Sequence, residues 1–290
     1  MTDFVTFGRL YGLEIDPGRL HPSDKIRRCG TTDKPRSLNG AFFWDGERGW
    51  VWNWASEARV QWWNDPAAKE WTEAEKAQWR ARRVQQDACK ERGHQAAAQR
   101  AQEMIAAAAL APHNYFSYKG FPDEKGFVAA DGSLLIPMRS AFGSTLQGVQ
   151  IIRWLPDSAK YEKKMLPGMK AKAAVYRMGD KRAPEMVLCE GYATGLSIMA
   201  AIRSAGLRIG VLVCFSAGNL VHVAASLKCR AVVFADNDAS GAGERAAKET
   251  GLRYCMADEV GLDANDLHVK HGVMEVCKKL IEARTRAMAM

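Results

Sequence analysis

The fold is decided by residues 186–238, which read MVLCEGYATGLSIMAAIRSAGLRIGVLVCFSAGNLVHVAASLKCRAVVFADND. Three short apolar runs in this stretch, MVLC, IGVLVCF and RAVVFA, are separated by segments long enough to form helices, and a further helical segment follows near 243–250. Short apolar runs that alternate with helices are typical of a parallel sheet covered on both faces. We therefore predict an α/β core in which these runs are neighbouring strands.

Acidic residues follow two of the apolar runs. Glu190 comes directly after the first run, and Asp236 and Asp238 follow the third; the downstream run GLDANDLHVKHG adds Asp263 and Asp266. Acidic residues after strands are often simple helix N-caps. However, ligands of open parallel sheets bind at the carboxyl ends of the strands, and neighbouring carboxylates repel unless a cation or proton lies between them. Because oxygen ligands suit Mg²⁺ or Mn²⁺, we expect these five residues to form a metal site facing a phosphate substrate.

Composition and charge narrow the class of protein. The chain has 290 residues with 47% hydrophobic composition, which is enough for about two domains. Its net charge is +8, and residues 160–182 contain eight basic against two acidic residues, so this stretch carries most of the excess. No apolar stretch approaches the roughly 20 residues that span a bilayer, and the chain start lacks a secretory apolar region. We expect a cytoplasmic protein with no membrane partner.

Tryptophan marks a separate N-terminal module. Eight of the nine tryptophans lie between positions 44 and 79, and GAFFWDGERGWVWNW predicts two strands joined by a turn at Asp45 and Gly46. We predict a small β-rich module over residues 1–64, in which Trp50, Trp52 and Trp54 share one face. Most of its tryptophans are expected in its core, with two at most available to stack on single-stranded bases. The flanking basic residues make nucleic-acid binding plausible: Arg27, Arg28, Lys34 and Arg36.

A long helical connector is predicted over residues 65–111. The segment from Thr72 to Ala109 is rich in Ala, Glu, Gln, Lys and Arg and contains no proline, and Thr72 with Glu75 fits a capping box. A break near Gly93 is conceivable, and Pro112 is expected to end the helix. A helix of this length is too long for a small domain to pack along all of it.

Several motifs resemble one family. VLCEGYATGLS at 187–197 is similar to the first motif of Toprim domains, FADNDASGAG at 234–243 to their second motif, and GLDANDL at 261–267 to the acidic turn that follows in DnaG-type primases. Upstream, 134–166 and PHNYFSYKGF at 112–121 resemble the core of phage and plasmid primases. The chain thus resembles Toprim-domain primases of the mobile-element kind. The nearest cysteine to Cys29 is Cys89, sixty positions away, so the zinc ribbon that DnaG-type primases carry in this region is not expected here.

The resemblance implies a fold and an activity. The fold would be a Rossmann-like Toprim domain over 184–290, preceded by a basic primase-type subdomain over 112–183. The activity would be synthesis of RNA primers from NTPs on single-stranded DNA by two-metal phosphoryl transfer, with Glu190, Asp236 and Asp238 as catalytic residues. A groove for template and NTP would be lined by five cations: Arg139, Arg153, Lys160, Lys164 and Lys119. Tyr115 and Tyr118 would either contact nucleic acid or pack against the domain.

Two other functions remain open from the sequence. A Toprim nuclease would use the same carboxylates with water in place of a 3′-hydroxyl group, and a replication accessory would bind nucleic acid without catalysis. No GxxxxGK[ST] phosphate-binding loop occurs in the chain. Helicase or ATPase activity would then have to come from another chain, which makes a separate replicative helicase a reasonable partner.

Overall fold

The computed structural model describes residues 3–54, 59–65, 68, 72–180 and 182–285. The chain divides into two compact units, Met1–Val84 and Gln85–Met290. Trp71, in the tryptophan-rich segment, and Lys181, in the basic stretch, lie outside the described residues. The finer boundaries near 64, 111 and 183 stay predictions.

The N-terminal unit contains one antiparallel sheet. Helix α1 (Phe4–Leu10) is capped by Asp3, whose carboxylate accepts a hydrogen bond from the Thr6 N–H at 2.7 Å. Five strands follow in sheet order, each paired with the next along the chain: β1 (Leu13–Glu14), β2 (Arg27–Thr31), β3 (Gly40–Trp44), β4 (Arg48–Asn53) and β5 (Gln61–Asn64). The predicted hairpin is confirmed as β3 and β4, and Asp45 stabilises its turn by accepting from the Glu47 and Arg48 N–H groups.

The expectation that most tryptophans form the core of this unit is wrong. Among the described residues, only Trp44 and Trp63 pack into its hydrophobic cluster, together with side chains such as Phe4 and Val51. The physical reason is strand alternation, because every second side chain of β4 and β5 points away from the cluster. Four tryptophans therefore lie outside it on the other side of the strands or just beyond: Trp50, Trp52, Trp54 and Trp62.

A 35-residue helix, α2 (Glu73–Ala107), contains the boundary between the two units. The predicted capping box is confirmed, since Thr72 and Glu75 bond to each other's backbone N–H groups at 2.8 and 3.3 Å. The helix runs through Gly93 without a break and ends at Ala107, before Pro112, because residues 109–112 pair as a strand instead. Ala97 and Ala101 are fully buried within the second unit, whereas the helix is mostly exposed before them.

The second unit is built on one ten-stranded mixed sheet. The strand order is β10-β9-β8-β11-β13-β12-β14-β15, with β7 also paired to β8 and β6 to β7. The strands are β6 (Ala109–Pro112), β7 (Lys125–Val128), β8 (Leu134–Ser140), β9 (Leu146–Leu155), β10 (Lys160–Met165), β11 (Ala174–Met178), β12 (Glu185–Cys189), β13 (Gly210–Val213), β14 (Arg230–Phe234) and β15 (Arg253–Cys255). The predicted parallel sheet is confirmed over β12 to β15, while the upstream strands join it in antiparallel pairing.

Helices cover both faces of the parallel strands. Alternation along β12 sends Val187 and Cys189 to one hydrophobic cluster and Met186 and Leu188 to the other. The first cluster includes residues of α4 (Tyr192–Ser204), α7 (Ala264–His271) and α8 (Val273–Thr285), and the second includes residues of α5 (Ala217–Ala224) and α6 (Ala242–Glu249). A short helix, α3 (Asn114–Tyr118), follows β6. None of the helices in the described part of the chain has both the length and the apolar character that a membrane span requires.

A buried ion pair joins the two ends of this region. The Glu185 carboxylate, at the start of β12, accepts hydrogen bonds from the Arg284 guanidinium of α8 at 2.8 to 3.1 Å. The Glu185 side chain is only 6% exposed, and the hydrogen bonds from Arg284 lower the pKa of this carboxyl group. The pair therefore keeps a charged carboxylate inside the fold by fully matching it with a planar cation.

Candidate active site

The strand order brings Glu190 and Asp236 to the same edge of the sheet. β12 pairs in parallel with β13 on one side and with β14 on the other. The next strand along the chain, β13, is thus added on one side of β12 and the following strand, β14, on the opposite side, so the strand order reverses at β12. Glu190 follows the last residue of β12, and Asp236 lies two residues after the end of β14. In sheets of this type, ligands bind in the crevice where the strand order reverses. Both carboxylates are half-buried at that crevice.

The electrostatics of this crevice are set first by burial and then by repulsion between carboxylates. Burial, followed by the charges of Asp263 and Glu190, raises the pKa of Asp236 to about 7. Burial and the charge of Asp238 also raise the pKa of Glu190. The Oδ1 atom of Asp236 is buried and accepts no hydrogen bond from the described residues. A buried, unpartnered carboxylate oxygen among other acids is suited to a cation, which would supply the missing partner.

Asp238 is held by the turn that leads into α6. Its carboxylate accepts hydrogen bonds from the Ser240 N–H at 2.7 Å, from the Ser240 hydroxyl and from the Gly243 N–H at 3.2 Å. The Ser240 hydrogen bond is the main reason that the pKa of Asp238 is lowered. Gly243 is required here, because a Cβ atom would lie 2.2 Å from the Asp236 carbonyl oxygen. The start of α6 therefore packs directly on the Asp236 backbone.

Asp263 and Asp266 form the N-terminal capping box of α7. Asp263 accepts from the Asn265 and Asp266 N–H groups at 2.7 and 2.9 Å, and from the Thr194 hydroxyl at 3.0 Å. Asp266 accepts from the Asp263 N–H at 3.3 Å and lies 3.9 Å from the Lys119 ammonium group. These two residues, like Asp238, therefore act as helix caps, as the alternative interpretation of the sequence expected. A capping carboxylate still has free lone pairs with which it can bind a cation.

Asn237 links the two acidic loops. Its backbone N–H donates to the Leu262 carbonyl at 3.2 Å, and its side-chain amide donates to the Ala257 carbonyl at 2.9 Å. These bonds tie the loop after β14 to the loop before α7, which explains how the charge of Asp263 comes to raise the pKa of Asp236. Within the described residues, no three His, Cys, Asp or Glu side chains close around one point at metal-binding distance.

Lys163 is a residue of the site that sequence reasoning missed. Much of its side chain is exposed, but burial around its ammonium end, followed by the charge of Lys119, lowers its pKa, against the opposing charges of Asp263, Asp236 and Asp266. Alternation along β10 places Lys163 on one face, and Lys160 and Lys164 on the other. The sequence signal for this difference was strand alternation, which places Lys163 on the opposite face of β10 from Lys160 and Lys164.

The five cations predicted for nucleic-acid or NTP binding are not gathered at the carboxylates. Lys119 is the member of the set that lies beside them, through Asp266. Arg153 is paired with Asp131 at 2.9 Å, Lys164 with Glu162 at 2.7 Å, and Arg139 donates to the Ser144 carbonyl at 3.2 Å. Lys160 is exposed at the start of β10. Apart from Lys119, these residues are exposed on the antiparallel strands β8, β9 and β10.

Small polar residues on α4 support the acidic loops. Thr194 and Ser197 are both fully buried and lie one helical turn apart, which places them on one face. Thr194 donates to Asp263, and Ser197 accepts from the Asn265 amide at 3.1 Å. The same amide donates to the Lys119 carbonyl at 2.9 Å and so holds that lysine beside the site. The i, i+3 spacing of Thr194 and Ser197 was the sequence signal for this role.

The aromatic residues near α3 have different environments. Tyr115 is fully buried, so the packing alternative is confirmed for it, and its ring lies 5.0 Å from that of Tyr161 on β10. Tyr118 is exposed, and its ring lies 5.6 Å from the same tyrosine. Trp154 of β9 joins this group at 4.9 Å from Tyr161. Exposed aromatic surface therefore lies on the same face of β10 as Lys163.

Comparison with known proteins identifies the domain that carries the carboxylates. Residues 185–273 match the family model described as Toprim domain, and this span contains all five predicted acidic residues. The second unit of the chain therefore includes a Toprim domain. Among solved structures, the chain is similar to the RNA polymerase domain of Mycobacterium tuberculosis primase DnaG, with 21% sequence identity and a TM-score of 0.35 over 64% of this chain and 71% of that chain. The search of curated proteins found no match.

Proposed function

We propose that this chain is a DNA primase that joins ribonucleotides on single-stranded DNA. The observation that carries the proposal is the Asp236 carboxylate, which has a buried, unpartnered oxygen and a strongly raised pKa within a Toprim domain. The upstream segments 112–121 and 134–166, which resemble the core of phage and plasmid primases, favour synthesis over cleavage. The required partners are a single-stranded DNA template and NTPs.

The residues at the crevice fit a divalent cation. Asp236 and Glu190 each have a raised pKa, so a nearby cation would stabilise the charged form of both carboxyl groups. Asp238 adds a third carboxylate, which the turn before α6 holds in place. These three residues would hold Mg²⁺ or Mn²⁺, with Asp263 and Asp266 close by. Bound there, the cations would neutralise charge on the triphosphate and on the leaving pyrophosphate. This assignment agrees with the preference of such ions for carboxylate oxygens.

The protein's own groups would position the reactants. Glu190 lies near the backbone N–H of Ala217 at the start of α5, which favours its charged form, and its carboxylate could also orient the attacking 3′-hydroxyl group. Lys163 and Lys119 lie among the acids, where they could contact phosphate oxygens of the incoming nucleotide. Electrostatic positioning of this kind is the main contribution of proteins to phosphoryl transfer.

The basic strands would bind the template. Arg139, Arg153, Lys160 and Lys164 carry exposed positive charge on β8, β9 and β10. Contacts with phosphates release counterions, so this binding would weaken steeply with salt. The partner that unwinds the duplex ahead of this activity would be a separate replicative helicase.

The test is a priming assay with matched variants. Asp236→Asn combined with Asp238→Asn should abolish ribonucleotide incorporation on single-stranded templates while the protein stays folded. Asp258→Asn is the control, because Asp258 belongs to the same domain, its side chain is 82% exposed and its partner is Lys279. The control should prime like the wild-type protein.

The same reactions separate the alternatives. Labelled DNA incubated with Mg²⁺ or Mn²⁺ but without NTPs would be shortened by a nuclease and left intact by a primase. If wild-type protein binds DNA but neither extends nor cleaves it under any of these conditions, the protein is a binding accessory. Unchanged primer synthesis by the double Asn variant would refute the assignment of the site.

A further inference from the structure

The N-terminal sheet has a second face that is rich in aromatic rings. The cross-strand register aligns Phe43 with Trp50 and Trp50 with Trp62, so these three rings form one row across β3, β4 and β5. Trp52 lies two residues from Trp50 and therefore on the same face, and Trp54 follows it just beyond β4. We refer to these five residues as the aromatic face: Phe43, Trp50, Trp52, Trp54 and Trp62.

The rings of the aromatic face are accessible. Trp62 is 66% exposed and Trp54 is 39% exposed, and the other three are partly exposed. The ring centroids of Phe43 and Trp50 are 6.5 Å apart in a stacked arrangement, and those of Trp52 and Trp54 are 4.8 Å apart. In contrast, the opposite face of the same strands supplies the buried cluster around Phe42, Val51 and Trp63. The tryptophans of the aromatic face therefore do not stabilise the core of the unit.

Positive charge is placed among these rings. The Arg28 guanidinium lies 3.6 Å from the ring centroid of Trp54, and Arg48 projects from the same face as Trp50. Among the residues of β1 to β5 that alternation places on this face, Glu14 is the single carboxylate, at the β1 edge. A protein surface covering the face would have to desolvate the Arg28 guanidinium that lies over Trp54, which is costly unless that surface brings an opposite charge. Nucleic acid supplies both flat bases and phosphates.

We propose that the aromatic face binds the bases of single-stranded nucleic acid, with Arg28 and Arg48 contacting its phosphates. Stacking on aromatic side chains requires unpaired bases, because duplex bases already stack on each other, and it tolerates any sequence. The site is distinct from the carboxylates of the Toprim domain. Binding to the aromatic face needs neither a cation nor a nucleotide substrate, so it can be tested independently of the proposed reaction.

The test measures binding of a labelled oligothymidine to the full chain by fluorescence anisotropy, in EDTA and without NTPs. Trp62→Ala should weaken binding about tenfold, because one stacked base contributes about 1–3 kcal/mol. Trp62→Phe keeps an aromatic ring and should bind almost as tightly as wild type. Trp79→Ala is the matched control, since Trp79 is also an exposed tryptophan (45%) of this unit but lies on α2. Its affinity should not change.

Cross-linking locates the bound strand. An oligonucleotide that contains 5-iodouracil should cross-link to Trp62 or Trp54 of wild-type protein on irradiation. Equal affinities of Trp62→Ala and wild type, or cross-links restricted to residues 85–285, would overturn the proposal. It would also be overturned if Trp62→Ala disrupted a dimer in sedimentation experiments while its DNA affinity stayed unchanged. The Asp236→Asn, Asp238→Asn double variant should bind the oligonucleotide normally, which separates this result from any failure to prime.

Discussion

Replacing Asp236 by Asn should stabilise the protein in the absence of divalent cations. In the folded state, burial and neighbouring carboxylates raise the pKa of Asp236 from 3.8 to about 7. A shift of about three pKa units corresponds to about 4 kcal/mol, at about 1.4 kcal/mol per unit. Since Asp236 is only half-buried and water screens part of the repulsion from neighbouring carboxylates, we take this value as an upper bound.

The sign of the pH dependence follows from linkage. A group whose pKa is raised by folding favours the folded state while it is protonated, and this contribution is lost as pH rises through the folded pKa. The wild-type protein in EDTA should therefore lose stability between about pH 4 and about pH 7. Asn resembles the protonated carboxyl group and does not titrate. The variant should thus match wild type near about pH 4 and exceed it near about pH 8.

Urea unfolding in EDTA, at about pH 5 and about pH 8, measures this difference directly. Adding Mg²⁺ or Mn²⁺ should restore stability to the wild type and not to Asp236→Asn, because a ligand that binds only the folded state stabilises it. Asp258→Asn provides the control and should gain nothing at the higher pH, since the hydrogen bond from Lys279 already lowers the pKa of Asp258. An Asp236→Asn variant that is less stable than wild type at about pH 8 in EDTA would refute the reasoning.

Three further predictions concern the surroundings of the site. Lys163→Met should move the pH midpoint of Mn²⁺ binding upward, because the Lys163 charge lowers the pKa of Asp236, whereas Lys164→Met on the opposite face of β10 should not; equal midpoints would remove Lys163 from the site. Gly243→Ala should destabilise the protein by about 1–3 kcal/mol in urea unfolding and reduce priming, because its Cβ atom would overlap the Asp236 carbonyl; a fully active, equally stable variant would contradict the close packing. Template affinity should fall linearly with salt on logarithmic axes, and a flat dependence would exclude phosphate contacts by the basic strands.

The sequence predicted the parallel part of the fold because its strands are buried on both faces. β12, β13 and β14 appear as continuous apolar runs, and their carboxyl ends fall where the acidic residues begin. That combination was enough to predict that Glu190 and Asp236 lie at the same edge of the sheet. The Toprim match over 185–273 agrees with the motifs that carried the resemblance.

Other features depend on geometry that composition does not encode. A run of alanines before Pro112 is compatible with helix or strand, and pairing with β7 decided that residues 109–112 form a strand. The tryptophan count suggested a packed core, yet alternation in a single sheet placed half of the rings outside it. Lys163 was missed because a cluster of lysines looks uniform in sequence until strand pairing assigns each one a face.

The Glu185–Arg284 ion pair sets a minimum length for any fragment intended to fold by itself. The family match ends at residue 273, whereas Arg284 and the apolar residues Val276, Cys277 and Leu280 belong to the helix that follows. A truncation at 273 would leave the buried Glu185 carboxylate without its Arg284 partner, at a cost of about 3–5 kcal/mol. It would also remove the α8 side chains that cover one face of the sheet. We therefore expect the second unit to fold by itself only in fragments that extend to Thr285.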